Sequence, residues 1–134
     1  PDIGSGKRII YSNSLQQVWL IEENEELVDT YLVSGRKGIP LNGTYTVYSK
    51  SVNAWAPYGG ITMKHMVRFV RPGTFGNQWA YGFHTIPRYP NGDPMQTEDE
   101  LGYFRSGGCV RQADHKAAAL YAWAGIGTTV HAIP

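Results

Sequence analysis

The residues best suited to chemistry lie in the segment YFRSGGCVRQ, residues 103–112, which contains the only cysteine of the chain. Cys109 follows Gly107 and Gly108, and glycines at such positions let the backbone approach a substrate closely and aim nearby amide groups at a developing oxyanion. Arg111 lies two residues beyond the thiol. In an extended segment both side chains face the same way, so the guanidinium is suited to a substrate carboxylate beside the thiol. The segment predicts a nucleophilic thiol next to an anion-binding group.

An isolated cysteine is also commonly a buried side chain without a reactive role. Polar, glycine-rich neighbours favour the reactive alternative. A helix N-terminus close to Cys109 would favour it further, because the partial positive charge there stabilises a thiolate. One cysteine cannot form an internal disulfide, and a zinc site cannot be assembled from it alone. We expect no metal and no cofactor.

A thiol nucleophile needs a base, and four histidines are available. His115 falls in the first turn of a predicted helix, His131 in the last strand, and His65 among apolar residues of a strand, so surface or core roles suit these three. His84 ends a predicted strand in YGFHTIP, next to a loop. It is the candidate to accept the thiol proton and form a thiolate–imidazolium pair with Cys109.

Composition and charge indicate a folded, mainly β chain that carries these groups. The 134 residues are 42% hydrophobic and 17% charged, and 16 glycines and 9 tyrosines accompany many β-branched residues. A net charge of +1 provides no strong field for nucleic acid, and no apolar run is long enough to cross a membrane. We expect one domain over residues 1–134, with neither a nucleic-acid partner nor a membrane span.

Strand patterns precede the cysteine and one helix follows it. Two strands are predicted within residues 8–23, and others at 27–33, 44–50, 61–70 and 78–87, with residues 52–60 as a loop. In residues 61–70, Met66 and Arg68 occupy a face that is suited to the border of a cleft. Residues 88–105 read as a long, functional or mobile loop. The helix is predicted to begin with Asp114 as N-cap and to stop at Gly125.

The motifs GFHTIP, LGYFRSGGCVR and GTTV, with the upstream run YLVSGRKGIPLNGTYTV, resemble the L,D-transpeptidase (YkuD-like) catalytic domain family. The resemblance spans residues 9–133. It implies a β-sandwich of mixed sheets with one short α-helix after the catalytic cysteine. It also implies a cysteine acyltransferase that acts on peptidoglycan stem peptides and is located outside the cytoplasm. We separately expect a monomer.

The resemblance implies a role for each position that matches the family's motifs. Cys109 corresponds to the nucleophile and His84 to the base. Thr85 corresponds to the residue whose backbone carbonyl orients that histidine, and the amides of Gly108 and Cys109 to the oxyanion hole. Arg111 and Ser106 correspond to positions that contact substrate. Apart from the resemblance, we expect the loop 88–105 to select substrate together with Met66, Arg68, Phe69 and Tyr103, for which ordinary packing is the alternative.

The chain departs from the family's pattern in three places. Gly107 stands where many members have histidine, which leaves His84 as the base. Pro40 and Leu41 stand where Thr-Pro is common. The interval between His84 and the serine of the motif is long, which suggests an enlarged lid.

Two other functions compete with this interpretation. A sortase also has the order His, Cys, Arg, but its cysteine follows a Thr-Leu-X-Thr pattern that RSGGCVR does not match. A non-catalytic wall-binding module on the same fold would leave Cys109 inert. For the enzyme, the acceptor of the acyl group stays open between an amine of a second stem, which gives a cross-link, and water, which gives carboxypeptidase activity.

Overall fold

A computed structural model describes residues 1–134, which form nine β-strands, one α-helix and one 3₁₀ turn. The strands are β1 (Arg8–Ser12), β2 (Gln17–Ile21), β3 (Leu27–Leu32), β4 (Gly43–Thr46), β5 (Ser49–Trp55), β6 (Thr62–Val70), β7 (Tyr81–Thr85), β8 (Val110–Gln112) and β9 (Thr129–Ile133). The helix α1 spans Asp114–Trp123, and the 3₁₀ turn spans Glu98–Glu100. The predicted mainly β architecture with one helix after the cysteine is confirmed.

The strands form two mixed sheets. The first has the order β3-β2-β1-β9-β4, in which β1 and β9 are parallel and the other pairs are antiparallel. The second has the order β5-β6-β7-β8, in which only β7 and β8 are parallel. Each sheet therefore keeps its parallel pair next to antiparallel hairpins, and the pair β7–β8 joins the histidine segment to the cysteine segment.

The core lies between the two sheets and under the helix. Tyr11 of β1 meets Phe83 of β7 edge-to-face, with ring centroids 6.4 Å apart. On α1, Ala117 and Leu120 are fully buried, as their helical spacing predicts. The helix packs against β6 and β7, so it supports the two strands that carry Arg68 and His84 from the face opposite to those side chains.

The segment 44–55 differs from its sequence prediction. Residues 44–50 were predicted as one strand and 52–60 as a loop, whereas β4 belongs to the first sheet and β5, which ends at Trp55, to the second. Val47, between them, is fully buried where the chain crosses from one sheet to the other. The alternation of apolar and polar residues along a strand predicts which side chains are buried, but it does not predict which sheet the strand joins. Val52 and Trp55 are exposed on an edge strand, which gives β5 a polar, loop-like pattern.

The ends of α1 also differ slightly from prediction. Ala113 is the N-cap and Asp114 is the first helical residue, where its carboxylate pairs with Arg88 at 3.2 Å instead of capping an amide. The helix ends at Trp123, with Ala124 as the C-cap. None of the helices combines the length and the apolar character that crossing a membrane requires.

Candidate active site

Strand register places the candidate catalytic side chains on one face of the second sheet. Arg68 of β6 lies opposite Gly82 of β7, and His84 of β7 lies opposite Arg111 of β8. Residues opposite each other share a face, and so do residues two apart on one strand. Cys109 lies immediately before the start of β8 and two residues before Arg111, so it continues this face. The fold therefore makes Cys109 and His84 diagonal neighbours, with an arginine on the strand to each side of β7.

The other face of the same strands belongs to the core. Val67, Phe83 and Val110 are fully buried there. Phe69 is 2% exposed and stacks on Phe83 with ring centroids 4.6 Å apart. We therefore correct the expectation that Phe69 contacts substrate: it packs between the sheets, and its position in an alternating strand already assigned it to the face of Val67.

His84 is buried and held by its neighbour in the chain. Its Nδ1 lies 2.5 Å from the backbone carbonyl oxygen of Thr85. Donation from Nδ1–H to this carbonyl leaves Nε2 as the nitrogen that can accept a proton. Burial lowers the pKa of His84 to about 4, and the charges of Arg111 and Arg68 act in the same direction, against the Thr85 hydrogen bond. The imidazole is therefore neutral at pH 7.

The thiol of Cys109 is half-buried and protonated at rest. Burial raises its pKa above the ordinary value, although the backbone amide of Gly82 and the charges of Arg68 and Arg111 favour the thiolate. The sulfur lies 3.9 Å from the carbonyl oxygen of Ala80, a contact suited to a weak S–H donor. Burial therefore favours a neutral thiol and a neutral imidazole at rest over the expected thiolate–imidazolium pair, and the two arginine charges oppose only the imidazolium.

The helix does not activate the thiol. Helix α1 begins at Asp114, and the strand β8 lies between it and Cys109. The influence of a helix terminus falls off within its first turn, whereas an extended chain rises about 3.3 Å per residue. The positive charge near the sulfur comes from Arg68 and Arg111 instead.

The turn before Cys109 is closed by Ser106. The Ser106 hydroxyl accepts a hydrogen bond from the amide of Gly108 at 3.0 Å and donates one to the carbonyl oxygen of Cys109. This corrects two expectations. The Gly108 amide is already engaged and is not free to bind an oxyanion, and Ser106 positions the turn instead of presenting its hydroxyl to a substrate. The amide of Cys109 donates to no protein atom and is the remaining candidate for the oxyanion site.

Arg111 is positioned by a residue that the sequence analysis missed. Its Nη1 donates to Oε1 of Gln96 at 3.0 Å, and Nε2 of Gln96 donates to Oγ of Ser34 at 3.1 Å. Gln96 and Ser34 are buried, and the backbones of Ser34 and Arg111 exchange two hydrogen bonds. A glutamine in a polar loop carries no sequence signal for this role, since only the folded loop 88–105 brings it under the arginine.

Arg68 is held from the opposite side. Its Nη1 donates to the hydroxyls of Ser51 at 2.7 Å and Ser49 at 3.3 Å, both on β5. Ser49 lies opposite Arg68 in the register, and Ser51 lies opposite Met66. The two serines were also missed, because β5 was not predicted to pair with β6.

The loop 88–105 lies over the same face. Met95, within it, and Cys109 both pack against a small apolar cluster that contains Met66. The loop is tied down by a capping box between Thr97 and Glu100 and by the hydrogen bonds of Gln96. Tyr103 is 63% exposed near the end of this loop. The structure thus brings Met66 and Arg68 to the thiol face and leaves Tyr103 at the surface.

No group of three or more His, Cys, Asp or Glu side chains is arranged to hold a metal ion. The arrangement combines a thiol, a neutral base and two cations on one face of a sheet. Such a set is suited to attack by sulfur on a carbonyl of an anionic substrate.

The buried state of His84 predicts a specific pH dependence of stability. Between pH 6.5 and about 4 the unfolded chain protonates this histidine while the folded chain keeps it neutral. The unfolded state then binds more protons, so the free energy of unfolding falls as the pH is lowered through that window, by up to about 1.4 kcal/mol per unit. We expect His84→Asn to flatten this slope in urea unfolding measured from pH 7 to 4.5. His115→Asn, at an exposed histidine, should keep the wild-type slope, and equal slopes for all three proteins would contradict the prediction.

The sequence and the fold of this chain match one family of known proteins. The sequence profile of the L,D-transpeptidase catalytic domain family (YkuD) matches residues 6–131. No curated protein matches the chain.

Solved structures share the fold. An L,D-transpeptidase from Mycobacterium smegmatis superposes with a TM-score of 0.72 at 18% identity over 98% of this chain and 60% of its own. An L,D-transpeptidase from Stackebrandtia nassauensis superposes with a TM-score of 0.70 at 17% identity, over 100% of this chain and 58% of its own. A mutant L,D-transpeptidase from Enterococcus faecium superposes with a TM-score of 0.71 at 17% identity, over 96% of this chain and 50% of its own. This chain therefore spans between half and three-fifths of the length of these proteins. Because the family profile covers nearly all of it, the chain belongs to the L,D-transpeptidase catalytic domain family.

Proposed function

We propose that this chain is a cysteine acyltransferase that acts on peptidoglycan stem peptides, as a single catalytic domain over residues 1–134, as a monomer and outside the cytoplasm. The observation that carries the proposal is the placement of Cys109 and His84 on one face of the second sheet by the parallel pairing of β7 and β8. Membership of the family supports the proposed location and substrate class.

The acylation step uses the two neutral groups as they stand. The sulfur of Cys109 attacks the carbonyl carbon of an L-to-D peptide bond in a tetrapeptide stem, and its proton passes to Nε2 of His84. The carbonyl oxygen becomes an oxyanion beside the Cys109 amide. As the C–N bond breaks, the proton on His84 moves to the leaving amine of the terminal D-residue, and a thioester remains on the sulfur.

Deacylation follows the same route with a different nucleophile. An amine acceptor gives up its proton to His84 as it attacks the thioester, and the sulfur leaves with that proton. An amine from a second stem gives a cross-link, and water gives a carboxypeptidase product. The neutral state of His84 at pH 7 supports both steps, because an imidazole that is already protonated cannot act as a base.

The thiol of the resting enzyme is a poor target for alkylating reagents, because burial raises its pKa. Slow alkylation near neutral pH would therefore not distinguish an enzyme from an inert module. The test is intact-protein mass after incubation with a tetrapeptide stem, with Cys109→Ala as the control. We expect a tripeptide-sized thioester adduct and release of the D-residue for wild type only. A folded wild-type protein that forms no adduct and releases nothing would overturn the proposal, and cleavage of a sorting peptide in the same assay would favour a sortase-like enzyme.

A further inference from the structure

Two arginines on the thiol face have no carboxylate partner. The ion pairs of the protein are Arg8–Glu25, Arg88–Asp114, Arg105–Glu100 and Lys116–Asp29. Arg68 and Arg111 take part in none of them, although both are half-buried. The neighbouring His84 and Cys109 are neutral at pH 7, so no negative charge on this face compensates the two guanidiniums. Partly desolvated cations without a counterion are costly, which indicates that the counterions arrive with the substrate.

Two neutral hydroxyls orient Arg68, and they leave its positive charge without a counterion. The hydroxyls of Ser49 and Ser51 fix Nη1. The Nε and Nη2 groups of Arg68 donate to no protein atom and keep three N–H donors for a planar acceptor. A guanidinium held in this way loses little side-chain entropy when it binds a carboxylate, and it offers the two parallel donors that a carboxylate prefers.

The two arginines bracket the strand that carries the base. Arg68 lies on β6 and leans towards β5, whereas Arg111 lies on β8 and leans towards Gln96. With β7 between them, their backbones are separated by two strand spacings, roughly 10 Å. Because the two side chains lean apart, the distance between the guanidiniums exceeds this spacing and corresponds to more than three residues of an extended peptide. A stem peptide laid across β7 with its carbonyl at Cys109 can therefore present one carboxylate to each arginine.

We propose that Arg68 is a second carboxylate-binding residue, so that the site selects an acyl donor with a free carboxylate on each side of the bond that Cys109 attacks. One carboxylate belongs to the leaving residue and the other to the acyl part, and Arg68 and Arg111 hold one each. This inference rests on the proposed acyltransferase function and specifies its donor. Conversion of either carboxylate to a carboxamide removes a charge-assisted, bidentate contact while it leaves the scissile bond unchanged.

The test compares three synthetic tetrapeptide donors with three proteins. One donor has both carboxylates free, one has the terminal carboxylate as a carboxamide, and one has the acyl-side carboxylate as a carboxamide. The proteins are wild type, Arg68→Gln and Arg71→Gln. Arg71 is an exposed arginine just beyond β6 that stacks on Tyr48, so its variant changes the net charge equally without touching the thiol face.

For wild type we expect kcat/KM for acylation to fall about 10-fold or more with either carboxamide, as for a lost charged hydrogen bond. Arg68→Gln should lower kcat/KM for the donor with two carboxylates by a similar factor. For one of the two carboxamide donors, Arg68→Gln and wild type should have the same kcat/KM. Arg71→Gln should keep the wild-type pattern. Equal rates of wild type with all three donors would overturn the inference, as would a uniform loss with every donor in Arg68→Gln.

Binding separates this inference from the proposed chemistry. Affinities of the three donors for Cys109→Ala and for the double variant with Arg68→Gln need no catalysis. If wild type acylates all donors equally, the acyltransferase stands and the inference fails. If no donor acylates wild type, the acyltransferase fails and the binding data decide the inference. The inference is supported if Cys109→Ala binds the donor with two carboxylates more tightly than either carboxamide, and if the added Arg68→Gln change removes the preference for one of the two carboxylates. Equal affinities of the three donors overturn it.

Discussion

Replacement of His84 by alanine is expected to slow acylation of Cys109 by about 10²–10⁴-fold, the usual contribution of a positioned general base. The physical reason is the raised pKa of the thiol, which leaves little thiolate at pH 7 unless a neighbouring group removes the proton during attack. Single-turnover mass spectrometry with a tetrapeptide stem measures the rate directly. His115→Ala, at an exposed histidine on the helix, is the matched control and should acylate like wild type.

Two further observations distinguish a lost base from a damaged fold. The buried site of His84 leaves a cavity in the alanine variant that can admit imidazole, so added imidazole is expected to restore part of the rate. The variant should also recover as the pH is raised, because hydroxide then forms the thiolate without a base. A variant that acylates at the wild-type rate near pH 7 would exclude His84 as the base.

Gly108→Ala is expected to have the second large effect, on both stability and activity. Gly108 has φ = +153°, and a Cβ at this position would lie 2.1 Å from Cε1 of the buried Tyr81 ring. Neither the backbone nor the ring can yield cheaply, since Tyr81 belongs to the main core cluster. We expect a loss of roughly 2–3 kcal/mol in the free energy of unfolding. Acylation should also be lost, because the turn held by Ser106 sets the direction of the Cys109 amide. Urea unfolding and the mass assay measure the two effects.

The neighbouring glycine supplies the control. Gly107 has no positive φ, and a Cβ added there meets no atom within 4 Å. Gly107→Ala should therefore change the free energy of unfolding by about 0.5 kcal/mol or less and should retain acylation. The prediction fails if the two alanine variants behave alike.

The sequence was sufficient to predict the family and to identify candidate residues for its chemistry. A lone cysteine between two glycines and an arginine, preceded by a histidine at a strand end, carries its signal in residue types and short spacings. Such signals can be recognised without knowledge of the fold, because each depends on local backbone and side-chain chemistry. The mainly β class and the helix after the cysteine were also predictable, since alternation along strands and the burial of Ala117 and Leu120 are local patterns.

Several features of the site depend on pairings between distant segments, so only the tertiary structure decided them. The register of β6, β7 and β8 places Cys109 beside His84 and sends Phe69 into the core. The crossing of the chain at Val47 brings Ser49 and Ser51 to Arg68, and the folded loop brings Gln96 to Arg111.

The protonation states of Cys109 and His84 also depend on the tertiary structure. The helix begins too far along the chain to favour a thiolate, and burial leaves the thiol and the imidazole both neutral. Desolvation depends on every segment that packs around a group, whereas residue type and spacing are properties of one segment. For that reason the candidate nucleophile and the candidate base can be predicted from the sequence, whereas their charge states and supporting partners cannot.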